Sequence, residues 1–208
     1  MKILAVTGGI GSGKSYVINI FNHLGIPSYS TDERTKALYQ NVELLKAISK
    51  VAGDDIISNG KLRKDIFASR IFSSNDLLEK VEKIVHPIVL KDFNMWKDGF
   101  NINIKSDHSI NNDSPKKVPF VIIESAIFLE KPLFRDIADL IAVVSAPEDL
   151  RIKRTMNRDN CTAEIVKNRI SKQWPEEKRL ALADFVIDSE GKSLLLAQVL
   201  EVYHSMLR

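Results

Sequence analysis

Cysteine is nearly absent from this chain of 208 residues, in which Cys161 is the only one. A single cysteine forms no internal disulfide, so the sequence excludes the class of small domains held together by disulfides and favours a reducing compartment. Cys161 lies in a polar run without a recognisable partner that would activate a thiolate. We therefore expect no catalytic thiol.

Long apolar runs are absent as well. No stretch approaches the roughly 20 apolar residues that a membrane-spanning helix needs. The apolar run at 2–7 is too short for a signal peptide, and it leads into a glycine-rich segment. These absences predict a cytoplasmic protein with no membrane partner.

The chain also lacks an excess of charge of one sign. Its 30 basic and 27 acidic residues are interspersed and leave a net charge of +3. This mild excess suits a polyanionic small molecule, and the basic stripe interleaved with aromatic residues that marks a nucleic-acid surface is missing. We therefore predict no nucleic-acid partner. The length suits one α/β domain with insertions.

Glycine, in contrast, is concentrated near the start of the chain. Residues 8–15 read Gly-Gly-Ile-Gly-Ser-Gly-Lys-Ser, between a strand-like apolar run and a helix-like segment. Gly8, Gly13, Lys14 and Ser15 fit the P-loop spacing G-x-x-x-x-G-K-[ST]. The alternative is a glycine-rich turn that binds nothing, but the strand–loop–helix context favours a nucleoside triphosphate.

The P-loop spacing assigns a role to each part of this segment. Its backbone N–H groups and the following helix terminus enclose the phosphates, the Lys14 ammonium reaches the β- and γ-phosphates, and the Ser15 hydroxyl binds Mg²⁺. The predicted nucleotide-binding residues here are Gly9, Ile10, Gly11, Ser12, Gly13, Lys14, Ser15 and Tyr16.

Apolar runs of strand length recur along the chain. They lie at 2–7, 119–124, 140–145 and 184–188, and a further short strand is predicted at 27–30. Runs that are apolar throughout are typical of buried parallel strands, so we predict an α/β fold, a P-loop NTPase core with a five-stranded parallel sheet. Between 33 and 96 the apolar spacing is helical, with interruptions at 60–64 and at His86-Pro87.

These segments divide the chain into three predicted parts. The nucleotide-binding core comprises 1–31, 118–147 and 176–208. A helical insertion at 32–117 is a natural place for the acceptor substrate, and it ends in a flexible loop rich in Asn, Ser and Asp at 98–117. A helical lid occupies 148–175.

Polar residues with a potential role in chemistry follow the predicted strands. Asp32 comes after the second strand and Glu124 ends the third, and ligand groups collect at such strand ends. Arg151, Arg154 and Arg158 share one face of a predicted helix. A solvated basic stripe is the alternative, but in a P-loop protein this segment commonly forms a lid whose arginines bind phosphates bidentately.

The order of these motifs resembles the dephospho-CoA kinase family over nearly the whole chain. The resemblance rests on 7–15, Gly25-Ile-Pro with Asp32, Gly60-Lys-Leu, 70–72, His86-Pro87, 126–130, 153–159, Arg169 with Gln173, and 183–188. It implies a helical CoA-binding domain at 32–117 and a lid. The implied reaction uses ATP with Mg²⁺ to phosphorylate the ribose 3′-hydroxyl of dephospho-CoA, the last step of coenzyme A biosynthesis.

The resemblance also implies roles for individual residues. Asp32 matches the family's proposed general base, although it is also a candidate N-cap of a helix beginning at residue 33. Arg154 and Arg158 match lid arginines that contact phosphates. His86-Pro87 matches an acceptor-side pair, with a core histidine as the alternative, and Lys64 stands at a substrate-side position where arginine is common.

The chain departs from the family pattern at several positions. Ser30-Thr31-Asp32 replaces the usual Asp-Ala-Asp, which removes one carboxylate. Glu124-Ser-Ala-Ile-Phe128 replaces Asp-x-Pro-Leu-Leu, so a role of Glu124 toward Mg²⁺ stays open. Lys36 and Lys64 retain the charge of arginine without its bidentate geometry. Tyr16 stands where Thr is usual.

Three other functions compete with this interpretation. A kinase of the same superfamily acting on a nucleoside monophosphate or a small alcohol would differ only in its acceptor. A GTPase switch is disfavoured because the Asn/Thr-Lys-x-Asp guanine-reading motif is missing. A nucleic-acid-dependent NTPase is disfavoured by the charge pattern. We expect a monomer or a weak homo-oligomer.

Overall fold

The computed structural model describes residues 1–102, 118–191 and 193–208. The chain divides into two compact units, of which the first comprises Met1–Ser30 and Phe100–Arg208 and the second Thr31–Gly99. No helix of the described ranges combines the length and apolarity needed to span a membrane. The division into core, insertion and lid remains a prediction.

The described residues form the following strands and helices. The strands are β1 (Lys2–Thr7), β2 (Ser28–Ser30), β3 (Ile57–Ser58), β4 (Lys61–Leu62), β5 (Phe120–Glu124), β6 (Leu140–Ser145) and β7 (Phe185–Asp188). The helices are α1 (Lys14–His23), α2 (Thr31–Leu38), α3 (Val42–Ala52), α4 (Lys64–Ser73), α5 (Asn75–Ile102), α6 (Pro132–Arg135), α7 (Glu148–Asp159), α8 (Ala163–Ser171), α9 (Glu176–Leu180) and α10 (Leu195–Leu207). Short 3₁₀ turns occur at Asp54–Ile56 and Phe128–Glu130.

The first unit is built on a five-stranded sheet in the order β2-β5-β1-β6-β7, and each of its pairings is parallel. The fold class predicted from the apolar runs is therefore confirmed. Because the strands are parallel, their carboxyl ends share one edge, at which β1 leads into the glycine-rich loop and then α1.

A hydrophobic core holds this sheet in place. Leu4 and Val6 of β1 alternate toward one face, where Phe21 of α1 and Val202 of α10 are buried with them. The rings of Phe21 and Phe120 meet edge to face at 6.3 Å between centroids. The packing fixes the start of α1 relative to the end of β1, where the loop lies.

The second unit is mainly helical but also contains a hairpin, which the helical spacing between 33 and 96 did not indicate. Strands β3 and β4 pair antiparallel across Asn59 and Gly60, whose φ angles are 50° and 72°. Left-handed conformations at both residues are typical of tight two-residue hairpin turns, for which Asn-Gly is the preferred sequence. The interruption noted at 60–64 therefore contains the turn and second strand of this hairpin and ends where α4 begins at Lys64.

Helix α5 corrects two expectations. It continues through Pro87, which we had interpreted as an interruption, and it includes residues 98–102, which we had assigned to a loop. Burial of the apolar stripe Val81, Val85 and Val89 outweighs the roughly 3 kcal/mol that a helix loses at an interior proline. The remainder of the predicted loop, 103–117, lies outside the described residues.

Candidate active site

The loop between β1 and α1 has the backbone geometry of an anion cradle. Gly11 has a φ of 76°, and a Cβ atom there would lie 2.3 Å from the Arg151 carbonyl oxygen. Gly13 precedes α1 with a φ of 94° and provides no side-chain cap. The start of α1, at the positive end of the helix dipole, therefore has no capping side chain from Gly13 and suits an anionic ligand.

Lys14 lies over this loop. Its Nζ atom donates hydrogen bonds to the carbonyl oxygens of Gly8 at 2.8 Å and Gly9 at 3.3 Å. The ammonium group is thus held beside the peptide units that would surround the terminal phosphates. A compact cation with three donors can exchange these carbonyl contacts for phosphate oxygens without a change of fold.

A cavity of about 660 Å³ opens beside the loop, a volume usual for small-ligand sites. It is lined by P-loop residues, one face of α7 and the segment after β7. The lining residues are Gly11, Ser12, Gly13, Lys14, Ser15, Tyr16, Asn19, Arg154, Thr155, Arg158, Asp188, Ser189, Gly191, Ser193 and Leu195. The structure therefore brings together most of the predicted nucleotide-binding residues with Arg154 and Arg158.

Gly9 and Ile10 are placed differently from the other predicted nucleotide-binding residues. They do not line this cavity. The Ile10 N–H donates to Gln173 Oε1 at 2.9 Å, and Gly9 lies against the guanidinium groups of Arg151 and Arg179. Both residues connect the loop to the segment before β7, and their predicted contact with the nucleotide stays a prediction.

Arg154 and Arg158 project from successive turns of α7 into the lining. Arg154 donates to Ser189 twice, from Nη1 to Oγ at 2.9 Å and from Nη2 to the carbonyl oxygen at 2.7 Å. Arg158 pairs with Asp159 at 2.7 Å, and Arg169 reaches the same carboxylate at 2.6 Å. The hydrogen bonds from Arg158 and then Arg169 lower the pKa of Asp159 from 3.8 to about 2, so the ion pairs persist above that pH and are lost as the pH falls through it.

Arg151, the third arginine of the predicted helix face, does not line the cavity. Arg151 is 2% exposed and pairs with Glu176 at 2.7 Å, and Glu176 also accepts a hydrogen bond from Ser145. Arg179, also 2% exposed, lies nearby, and its pKa is lowered by burial and then by the charge of Arg151. The expectation that Arg151 shares a phosphate-binding face is wrong, because tertiary packing turns it toward the back of the loop.

The buried pair predicts a large stability effect. Glu176→Ala would leave the Arg151 guanidinium unpaired in a buried site beside a second cation, a change that typically costs about 3 kcal/mol. For a chain of this size we expect the melting temperature to fall by about 6–12 °C in a thermal unfolding experiment. The control is Glu177→Ala, which removes an exposed neighbouring carboxylate. Equal melting temperatures for the two variants would contradict the assignment.

Strands β5 and β2 lie on one side of β1 and end in a pair of hydrogen-bonded polar residues. Ser30 and Glu124 are register partners on β2 and β5, and the Ser30 Oγ donates to Glu124 Oε2 at 2.9 Å. Two carboxylates at this spacing would repel each other. The serine that replaces the usual first aspartate therefore holds the Glu124 carboxylate at the strand end by a hydrogen bond.

The remaining predicted residues belong to the second unit. Asp32 is exposed in the first turn of α2, which begins at Thr31, so it does not occupy the position preceding a helix that the N-cap alternative required. Half-buried His86 and exposed Pro87 lie inside α5. Lys64 begins α4.

A cavity of about 560 Å³ in the second unit contains Lys64. Lys36 and Lys61 share its lining, so three cations surround one concave surface. The lining also includes Tyr39, whose pKa is raised by burial, so the phenol stays protonated and can donate a hydrogen bond at neutral pH. Such a surface suits an anionic ligand.

Several residues around the first cavity were not found from the sequence. Asn19 and Thr155 gave no signal, because their positions depend on how α1 and α7 pack. Ser189 follows the carboxyl end of β7, so the strand-end rule that identified Asp32 and Glu124 would have found it. Gln173 was noted only through the family resemblance, and the contact with Ile10 gives it a structural reason.

Comparisons with known proteins agree along the whole chain. The model of the family described as dephospho-CoA kinase matches residues 2–194. The dephospho-CoA kinase of Porphyromonas gingivalis is 37% identical over 208 residues, which span 99% of this chain and 95% of the relative. That of Bacteroides fragilis is 34% identical over 200 residues, which span 96% and 90%.

Two solved structures are similar to this chain over nearly its whole length. The crystal structure of TT1252 from Thermus thermophilus is 25% identical, with a TM-score of 0.80 over 100% of this chain and 98% of the other. Dephospho-CoA kinase from Campylobacter jejuni is also 25% identical, with a TM-score of 0.65 over 99% and 98%. This chain belongs to the dephospho-CoA kinase family.

Proposed function

We propose that this chain transfers the γ-phosphoryl group of ATP to the ribose 3′-hydroxyl of dephospho-CoA, giving coenzyme A and ADP. The observation that supports ATP binding is the cavity in which Lys14, the start of α1 and Arg154 come together. Membership of the family supports the acceptor. The reaction is the last step of coenzyme A biosynthesis, and we place it in the cytoplasm, in a monomer or weak homo-oligomer.

ATP binding and phosphoryl transfer depend on the positions and charges of the protein's hydrogen-bond donors. Phosphoryl transfer spreads negative charge over the equatorial oxygens and the leaving oxygen, so fixed donors at these points lower the barrier. The N–H groups of α1 and the Lys14 ammonium bind the β- and γ-phosphates. Arg154, which lines the same cavity, supplies a planar fork of donors. Closure of α7 over the nucleotide would exclude water that otherwise hydrolyses ATP.

The residues near the phosphate end fit a Mg²⁺ ion that arrives with the nucleotide. The Ser15 hydroxyl lines the cavity, and Glu124 ends the strand beside β1, so both offer the oxygen donors that Mg²⁺ prefers. The described residues contain no cluster of three or more His, Cys, Asp or Glu suited to a metal ion. One or two protein ligands with phosphate oxygens is the usual Mg²⁺ arrangement in kinases, and the ion supplies charge neutralisation.

The acceptor half is assigned to the second unit. Asp32 serves as the general base that accepts the proton of the ribose 3′-hydroxyl. Lys36, Lys61 and Lys64 surround a cavity suited to the anionic groups of dephospho-CoA. His86 and Pro87 complete the acceptor side by family resemblance.

Replacing Asp32, the proposed base, distinguishes an effect on phosphoryl transfer from an effect on ATP binding. Asp32→Asn keeps the shape of the side chain and removes its basicity, so we expect kcat to fall by about 10²–10⁴-fold with little change in ATP affinity. Steady-state ADP release and calorimetric ATP titration measure the two quantities. The control is Glu33→Gln, which neutralises an exposed carboxylate in the same turn of α2. If Asp32→Asn retains wild-type kcat, the assignment is wrong.

The proposed function itself is tested by a panel of acceptors. Coupled ADP release with Mg-ATP is measured for dephospho-CoA, nucleoside monophosphates and small alcohols side by side. We expect turnover that depends on dephospho-CoA and a kcat/KM for it well above those for the others. A higher kcat/KM for a nucleoside monophosphate would overturn the acceptor assignment and leave the nucleotide site intact.

A further inference from the structure

Ser189 connects the α7 arginine to the P-loop through one hydroxyl group. Its Oγ accepts a hydrogen bond from Arg154 Nη1 at 2.9 Å and donates one to the Ser12 carbonyl oxygen at 2.6 Å. A serine hydroxyl has one proton and two lone pairs, so it can accept from a cation and donate to a carbonyl at the same time. The side chain thus forms a two-bond bridge between α7 and the loop.

The backbone of Ser189 completes the contact. Its carbonyl oxygen accepts the second Arg154 bond, at 2.7 Å from Nη2, and its N–H donates to the Ser145 carbonyl oxygen at 2.9 Å. The residue is therefore anchored to β6 and holds both Nη atoms of the fork. Among the described residues, these bonds engage two of the five guanidinium N–H groups and leave the others for phosphate oxygens.

The bridge lies against the start of α1. A Cβ atom at Gly13 would lie 3.2 Å from Ser189 Oγ and 3.6 Å from Arg154 Nη1. The hydroxyl, the guanidinium and the glycine that precedes α1 therefore converge at the phosphate end of the cavity. A shift of Ser189 would move the arginine and the loop together.

From this geometry we infer that Ser189 is a positioning residue for phosphoryl transfer, which fixes the guanidinium plane of Arg154 relative to the P-loop. The inference rests on the proposed function, in which Arg154 contacts the transferring phosphate. Arginine loses rotamer freedom whenever it is fixed on a ligand, and a bridge formed before the nucleotide arrives reduces that loss. Small errors in the position of a catalytic group have large effects on rate.

The test is a double-mutant cycle measured as dephospho-CoA-dependent ADP release. Ser189→Ala removes the bridge while the carbonyl contact remains, and we expect kcat to fall about tenfold with KM for ATP changed less than about threefold. In an Arg154→Lys background, whose ammonium lacks the fork, we expect Ser189→Ala to change kcat less than about twofold. Ser189→Thr, which retains the hydroxyl, is expected to restore most of the rate.

The outcomes separate this inference from the proposed function. Equal fold-losses for Ser189→Ala in the two backgrounds would show that the serine acts independently of Arg154 and would overturn the inference. The absence of any dephospho-CoA-dependent turnover by the wild type would instead overturn the proposed function. Ser73→Ala, which removes an exposed hydroxyl that donates to the Arg70 carbonyl oxygen at 2.9 Å, controls for loss of a serine hydroxyl.

Discussion

Lys14→Met is expected to lower the kcat of ADP formation by about 10³-fold, because it removes the cation that stabilises charge on the transferring phosphoryl group. Methionine retains a similar unbranched stem, so the change removes the charge and its donors with little change in packing. The two hydrogen bonds from Nζ to the Gly8 and Gly9 carbonyl oxygens would be lost as well. Both carbonyls belong to the loop after β1 and not to a strand or helix, so the fold should persist.

The measurement is single-turnover transfer at saturating Mg-ATP and dephospho-CoA, with circular dichroism to confirm the fold. Lys50→Met, which alters an exposed lysine of α3, is the matched control and should stay within about twofold of the wild type. Transfer by Lys14→Met at the wild-type rate would mean that the glycine-rich loop is not the phosphate site. A loss of ATP binding without a change in the transfer step would mean that Lys14 contributes to affinity alone.

Arg154→Ala is expected to reduce kcat by about 10³-fold, within the range known for arginines that stabilise phosphoryl-transfer transition states. Its two Nη atoms are already held on Ser189, so the guanidinium is ordered at the cavity wall before any ligand binds. Arg154→Lys keeps the charge and loses the planar fork, and we expect an intermediate rate. ATP affinity should change much less than kcat if the interaction strengthens in the transition state.

This prediction is measured with the same single-turnover assay and with calorimetric titration of ATP. Arg208→Ala, at the exposed end of the chain, controls for loss of one positive charge. An Arg154→Ala enzyme with full kcat would remove Arg154 from the catalytic machinery. It would also remove the basis for the role of Ser189.

The P-loop and the sheet were predictable because their signals are local. A strand buried on both faces is apolar at consecutive positions, and a loop that encloses phosphate needs glycines at fixed spacing, so the printed sequence contains both patterns. The predicted strand 184–188 and the observed β7 at Phe185–Asp188 differ by one residue. The hydrophobic pattern determines the elements, and the chain order of the elements determines the edge at which the site forms.

The contacts of the α7 arginines could not be predicted from local sequence patterns. Helical spacing placed Arg151 and Arg154 on one face, yet Arg151 is buried against Glu176, 25 residues further along the chain, and Arg154 lines the cavity. Which arginine meets a carboxylate and which meets a ligand depends on how α9 packs behind the loop. That contact is set by tertiary structure, and the helix sequence does not contain it.

Helix α5 shows a second limit. Proline and glycine are usually read as helix terminators, because one lacks an N–H and the other costs about 1 kcal/mol of helix propensity. In α5 the helix includes both Pro87 and Gly99, because a long buried stripe compensates for these costs. Propensity is a local quantity, and the burial that compensates for it depends on tertiary structure.

Phosphoryl transfer to the ribose 3′-hydroxyl of dephospho-CoA is tested by determining the structure of the product. The chain is incubated with Mg-ATP and dephospho-CoA, and the product is identified by mass and by the position of the new phosphate in ³¹P and ¹H NMR. We expect one added phosphate on the ribose 3′-oxygen, with one ADP formed for each product molecule. A phosphate on any other oxygen, or ADP formation without a phosphorylated acceptor, would contradict this expectation.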